Sequence, residues 1–213
     1  MSKVMSESKF LMALLMLTAV FPGAAHAVEE AEYTVLLKDD SVEIREYAPQ
    51  IVAETRVSGS MKDAGNMAFR PLFRYIDGDN KAQAEIAMTA PVAQRESEKI
   101  AMTAPVGQRA EGDEWVVSFM MPSEYTMDTI PEPSDARVTI REIPAHRMAA
   151  IRYSGRWTEK NYQEALQELV AWLDASGVEA AGEPVWARYN APFSLPFMRR
   201  NEILIPITDG ASP

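Results

Sequence analysis

The chain has no cysteine and only two histidines in 213 residues. Without a thiol there can be no disulfide, no thiolate metal site, no cysteine nucleophile and no lipid-modified cysteine at an export site. Gly-x-Ser-x-Gly and His-Glu-x-x-His are absent as well, so no nucleophile–base pair or zinc-binding helix announces itself. Carboxylates are plentiful but single out no acid–base pair, and the chain reads as a binding protein, not an enzyme. Basic charge is scarce: 21 Lys and Arg stand against 31 Asp and Glu. Clusters such as Arg199-Arg200 are outnumbered by acid, and nucleic acid is not an expected partner. Nor does any apolar run reach bilayer length. The longest, Phe10 to Phe21, is too short to span comfortably.

That run has a different use. Lys3 and Lys9 precede it and Ala25-His-Ala27 follows, which is the pattern of an export signal cleaved after residue 27. Losing two lysines and one glutamate with it takes the formal charge from −10 to −11. Residues 28–213 are then expected as one exported domain, periplasmic or secreted, with no stable membrane insertion.

Turn and cap signals organise that domain. Strands are expected at 33–37 and 42–47 around Asp39-Asp40-Ser41, and at 51–57, closed by Ser58-Gly59. Ser60, with Asp63 three residues on, can cap a helix running to Asp77-Gly78-Asp79-Asn80. The second half repeats this order. Strands at 137–143 and 148–153 end in Ser154-Gly155, and Thr158 caps a helix over about 159–175. In it Tyr162, Ala165, Leu166, Leu169, Val170 and Leu173 form one apolar stripe, and Gly177 ends it. Strands near 185–190 and 202–207 close the chain. The Ser-Gly marks lie 96 residues apart, so the domain reads as a pseudo-duplicated strand–helix–strand–strand unit.

Between the halves the heptapeptide Ile-Ala-Met-Thr-Ala-Pro-Val occurs twice, at 86–92 and 100–106. Each copy ends in a proline that a central strand would reject, so the pair is expected as two short strands or a hairpin added at the junction, structural in role. Trp115–Met121 is expected as a stronger strand behind them, and Pro122–Pro133 as a covering loop.

Ile86–Val92 after Tyr75-Ile-Asp-Gly-Asp-Asn80, then Phe119-Met-Met-Pro-Ser-Glu-Tyr125, Ile151-Arg-Tyr-Ser-Gly155 and Arg199-Arg-Asn-Glu202, together resemble the SOUL family of haem-binding proteins. The resemblance covers about 33–207. It implies an α+β fold, a distorted antiparallel β-barrel built from two pseudo-repeated βαββ units with two helices packed outside, akin to bacterial effector-binding domains. It also implies reversible binding of haem or another tetrapyrrole in an apolar cleft between the first helix and the loop joining the last two strands. Aligned on the helix motif, the family's porphyrin-contact positions fall on Asn66, Phe69, Phe73 and Arg74. In better-known animal members the first of these is basic, and a lysine stands where Leu195 is here.

The residues themselves offer such surfaces. Ala64, Ala68, Leu72 and Ile76 make a core row on the first helix, while Phe69 and Phe73 lie on an adjacent row beside Asn66, Arg70 and Arg74. The plainer reading is that the two rings pack under a loop. The segment 190–200 carries Phe193, Leu195, Phe197 and Met198 between prolines, apolar where loops are normally polar. Haem is a flat apolar disc with two carboxylates at one edge, so Arg70, Arg74, Arg199 and Arg200 are candidates for its rim. His146 is the one histidine left after cleavage and so the candidate axial ligand, although a lone loop histidine is more often surface. Met88 and Met102 hold equivalent positions in the two heptapeptides and read more readily as core filler. The alternative function is a receptor for another amphipathic small molecule, as in effector-binding domains.

Overall fold

The computed structural model describes residues 28–83 and 97–208. The expected export signal and the first heptapeptide copy, with Met88, lie outside the described residues. The first half holds β1 (Glu29–Glu30), β2 (Tyr33–Asp39), β3 (Val42–Tyr47), β4 (Gln50–Ser58), α1 (Met61–Ile76) and β5 (Asn80–Lys81). After the undescribed segment come β6 (Thr103–Ala104), β7 (Val106–Glu111), β8 (Glu114–Met120) and β9 (Glu132–Pro133). Then follow β10 (Thr139–Ile143), β11 (His146–Tyr153), α2 (Glu159–Ser176), β12 (Val185–Arg188) and β13 (Asn201–Pro206).

Nine strands form one antiparallel sheet, ordered β10-β4-β8-β7-β12-β13-β11-β3-β2, which curls into a half-barrel. Its two halves are the same unit. In β4-α1-β7-β8 the first strand pairs with the last, and the last with the third; β11-α2-β12-β13 does the same. The units meet where β7 pairs with β12. They are also interlocked: β3, which leads into β4, pairs with β11, and β10, which leads into β11, pairs with β4.

The Ser-Gly marks show why the repeat folds alike. Gly59 and Gly155 both sit at φ +121°, a region closed to side chains, and each turns a strand toward a helix. Ser60 accepts from the Asp63 N–H and Thr158 from the Asn161 N–H, capping α1 and α2. Alanine at either glycine is expected to cost about 1–3 kcal/mol in denaturant unfolding. Gly155→Ala should cost more, because its Cβ would meet Asn161 Nδ2 at 3.0 Å while that at Gly59 meets nothing within 4 Å. Wild-type midpoints for both variants would contradict this account.

Both helices cover one face of the sheet. Tyr162, Ala165, Leu169 and Leu173 of α2 pack on Ile44, Ala149, Ile151, Trp186 and Ile203, while Val170, at the stripe's edge, stays exposed. Ala68, Leu72, Tyr75 and Ile76 of α1 pack on Ala53, Val117 and Phe119. The loop after β8 covers them: Ile130 is buried and the Tyr75 hydroxyl donates to the Pro131 carbonyl at 2.8 Å. On the opposite, helix-free face Tyr47, Met148, Ala150, Ala187 and Leu204 make a smaller cluster.

The second heptapeptide holds a short strand, as expected; whether it pairs with the first copy lies outside the described residues. Thr103–Ala104 runs parallel to β1, and Pro105, which has no N–H to donate, ends that pairing. Val106 then opens β7, a central strand of the first repeat. This copy therefore leads into the repeat, with the Thr103 hydroxyl donating to the Met120 carbonyl.

Candidate functional site

Met61, Gly65, Phe69 and Phe73 stand four apart on α1, beside the row that fills the core. The Phe69 and Phe73 rings stack, centroids 5.6 Å apart and planes 14° from parallel, and Phe69 sets an edge against buried Phe119. Both nevertheless remain 40% and 39% exposed. Asn66, Arg70 and Arg74 are exposed on the same helix.

Gly65, at the other end of the row, admits Arg188. Both terminal guanidinium nitrogens lie 3.0 Å from where a Cβ would stand, so a side chain there would collide with them. That close approach offsets the roughly 1 kcal/mol that glycine costs a helix interior relative to alanine. Arg188 Nη2 donates to Gln108 Oε1 at 3.1 Å, and Gln108 Nε2 donates to the Met61 carbonyl at 2.6 Å, tying β12 and β7 to α1. The guanidinium also lies over Trp157, at 5.4 Å, and Trp186, at 4.9 Å. Sequence reasoning missed Arg188; a glycine inside a helical pattern was the available signal.

Trp157 joins this corner to the loop 190–200, since Arg199 lies over the same ring at 4.4 Å. The Arg199 guanidinium donates to the carbonyls of Ser194, at 2.9 Å, and Pro192, at 2.6 Å, holding the loop in shape. Arg200 is committed elsewhere, to Glu202 at 2.9 Å and Glu30 at 2.7 Å. The loop thus fixed displays Phe193 at 89% and Phe197 at 73% exposure, with Leu195 and Met198 also outward. Phe197 and Met198 wall an open cleft of about 530 Å³ with Tyr33, Arg45, Arg152 and Glu202. Among the described residues no ring pairing joins this loop to Phe69 or Phe73, so the two apolar surfaces approach through Arg188, Trp157 and Arg199 without closing on each other.

The model of the SOUL heme-binding protein family matches residues 28–206. This chain belongs to the SOUL family. Human heme-binding protein 2 is 29% identical to it over 166 residues, 76% of each chain. Among solved structures, the EcmrR C-terminal domain superposes with a TM-score of 0.57 at 12% identity, covering 83% of this chain and 98% of that one. A Listeria innocua protein described as a hydrolase gives 0.52 at 8% identity, covering 81% and 94%. Identities so low show likeness of fold alone.

For a SOUL protein the group to be fitted is a tetrapyrrole. The cavity of the helix-free face among Val52, Gly107, Met120, Met148, Val185 and Leu204 is too small for it, at about 120 Å³. A cavity of about 150 Å³ is filled by one benzene. His146 opens onto that same cavity, on the strand face that carries Met148. Its Nδ1 lies 2.8 Å from the Pro144 carbonyl and its ring stacks on Tyr47 at 5.5 Å. The sheet thus separates His146 from Phe69 and Phe73, so it is not placed to ligate a ring lying on those two. The helix side fits better, with apolar rings in the open and a cation, Arg188, at the end of their row. As rim cations, Arg199 and Arg200 are spent on the loop and on carboxylates; Met102 is half exposed in the heptapeptide.

Proposed function

We propose that this SOUL protein is an exported, non-catalytic carrier, buffer or scavenger of haem or a related tetrapyrrole, held reversibly between α1 and the loop 192–200. The observation that carries this reading is the stacked Phe69–Phe73 pair, left about two-fifths exposed on a helix whose core row is already full. Exposed aromatic surface of this kind, beside a stiff apolar loop, marks a place where something flat and apolar is meant to lie. Phe69 and Phe73 would support one face of the macrocycle, and Phe193, Leu195, Phe197 and Met198 would cover it. Arg70 and Arg74 stand at its edge and attract its acid groups. Bound haem would supply an aromatic surface, an iron and two carboxylates. Export is supported by the residues 1–27, and the excess of acid argues against a nucleic-acid partner.

Hemin or protoporphyrin IX added to the mature protein is expected to shift its Soret band and quench tryptophan fluorescence, because Trp157 lies between Arg188, which reaches α1, and Arg199 of the loop. Absence of a saturable change at micromolar ligand would sink the reading. A second reading, a receptor for another small amphipathic molecule, draws on the cavity of the helix-free face, where buried Glu54 meets Arg109 and Arg141. A screen in which cationic amphiphiles raise the melting temperature and hemin does not would favour it.

A further inference from the structure

We propose that Arg188, Tyr153 and Trp186 form a carboxylate-binding site, and that it takes one acid group of the tetrapyrrole. This rests on the tetrapyrrole reading and adds the anchor that fixes the ring's orientation. The first observation is a missing partner. Among the described residues Arg188 has no carboxylate within ion-pair distance; its one side-chain hydrogen bond goes to neutral Gln108. The other arginines packed deepest around β13 are treated differently: Arg45 and Arg200 both close on Glu202. Burial pushes the Arg188 guanidinium down to about 10, opposed only by the Tyr153 phenol, with no carboxylate among the groups that act on it. A cation withdrawn from water without a counter-charge is costly to keep, and a ligand carboxylate would relieve that cost.

The second observation is convergence. Arg188 Nε, the Tyr153 hydroxyl and Trp186 Nε1 are all buried without a well-aligned hydrogen bond, although Trp186 lies close enough to the Tyr153 hydroxyl to favour its charged form. They are neighbours by register: Tyr153 and Arg188 both stand opposite Asn201, on the strands either side of it, and Trp186 precedes Arg188 by two residues on the same face. Asn201 itself is occupied, accepting from Trp157 Nε1 at 2.7 Å. The cation's own Nε and two neighbouring donors are thus grouped by register, a demand that a carboxylate's two oxygens meet. The third observation is position. The guanidinium meets α1 at Gly65, four residues from Phe69 on the row that ends in Phe73, so a ring lying on those phenyls would carry its acid edge toward Arg188.

The test uses the mature protein, protoporphyrin IX and its dimethyl ester, titrated by fluorescence into wild type, Arg188→Gln and Tyr153→Phe. Wild type should bind the diacid about tenfold or more tightly than the diester, as expected of a charge-assisted contact. Arg188→Gln should lose that preference and keep its affinity for the diester. Tyr153→Phe removes one hydroxyl and keeps the ring, so it should stay folded, as its melting midpoint would show, and weaken the diacid alone, which keeps the test decisive if the arginine variant is unstable. Equal binding of diacid and diester by wild type, or equal weakening of both in the variants, would overturn the carboxylate site and leave the tetrapyrrole reading standing. Failure of wild type to bind either porphyrin would overturn both.

Discussion

Glu202→Ala is expected to lower the melting temperature by about 6–12 °C. Glu202 is fully buried on β13. Its carboxylate accepts from Arg45 at 2.7 and 3.2 Å, from Arg200 at 2.9 Å and from the Tyr189 hydroxyl at 2.8 Å. Truncation leaves Arg45, only 3% exposed, facing a void. Breaking a buried pair in this way costs about 3–5 kcal/mol, far more than the pair's net contribution over an apolar replacement. The low end applies, about 3 kcal/mol, because Arg45 keeps Glu43 at 2.8 Å and Arg200 keeps Glu30. At about 2–4 °C per kcal/mol for a domain of this size, the shift follows. A calorimetric midpoint within about 2 °C of wild type would show the network to be dispensable.

The same carboxylate sets a pH dependence. Burial pushes the Glu202 carboxyl up, but the hydrogen bonds and charge of Arg45, then the charge of Arg200, outweigh it and hold the group below its ordinary value. A folded-state value below the unfolded one means the contribution is complete above the unfolded value, about 4.3, and is lost as pH falls through the folded one. The contribution of Glu202 to the melting temperature should therefore be full and independent of pH near neutrality, and the melting temperature should fall on acidification below about pH 4. Glu202→Gln should flatten that fall without abolishing it. Glu43 remains, held low by its hydrogen bond from Lys38 and then by Arg45.

What could be read from the sequence was local. Caps at Ser60 and Thr158 and the left-handed turns at Gly59 and Gly155 depend on a few neighbouring residues, so the repeat was visible before the sheet was. Strand β7 was not, because Val106-Gly-Gln-Arg-Ala-Glu111 carries little β-branched or aromatic content. Its signal was the two-residue Gly112-Asp113 link to β8, with glycine at φ +61° in the first turn position. The exchange of β3 and β10 between halves has no local signature. At the site, the spare aromatic row of α1 was legible because its core row could be counted. The fate of the arginines was not: Arg199 and Arg200 are spent on partners set by the fold, and Arg188 reaches α1 across a gap that only Gly65 leaves open. His146 could have been placed on the other face by alternation from Met148 along the strand.

Phe73→Asp is expected to weaken hemin binding about a hundredfold, roughly 2.7 kcal/mol, while the protein unfolds as wild type does. Losing a phenyl that rests against the macrocycle removes about 1.5–3 kcal/mol of apolar contact. A carboxylate in its place also opposes the ligand's own acid groups. Stability is spared because Phe73 is 39% exposed and its ring touches only Phe69 among the aromatics. Phe69 is a poorer choice for this test, since its edge contact with buried Phe119 couples it to the core and mixes folding with binding. Met67→Asp is the matched control: it puts the same charge on the same helix, at a residue 55% exposed and off the Met61–Phe73 row, and should leave hemin affinity within about twofold of wild type. Equal affinity for Phe73→Asp and wild type would take the tetrapyrrole off α1. The open cleft beneath Phe197 and Met198, bounded by Arg45 and Arg152, would then be the surface of matching size left to test.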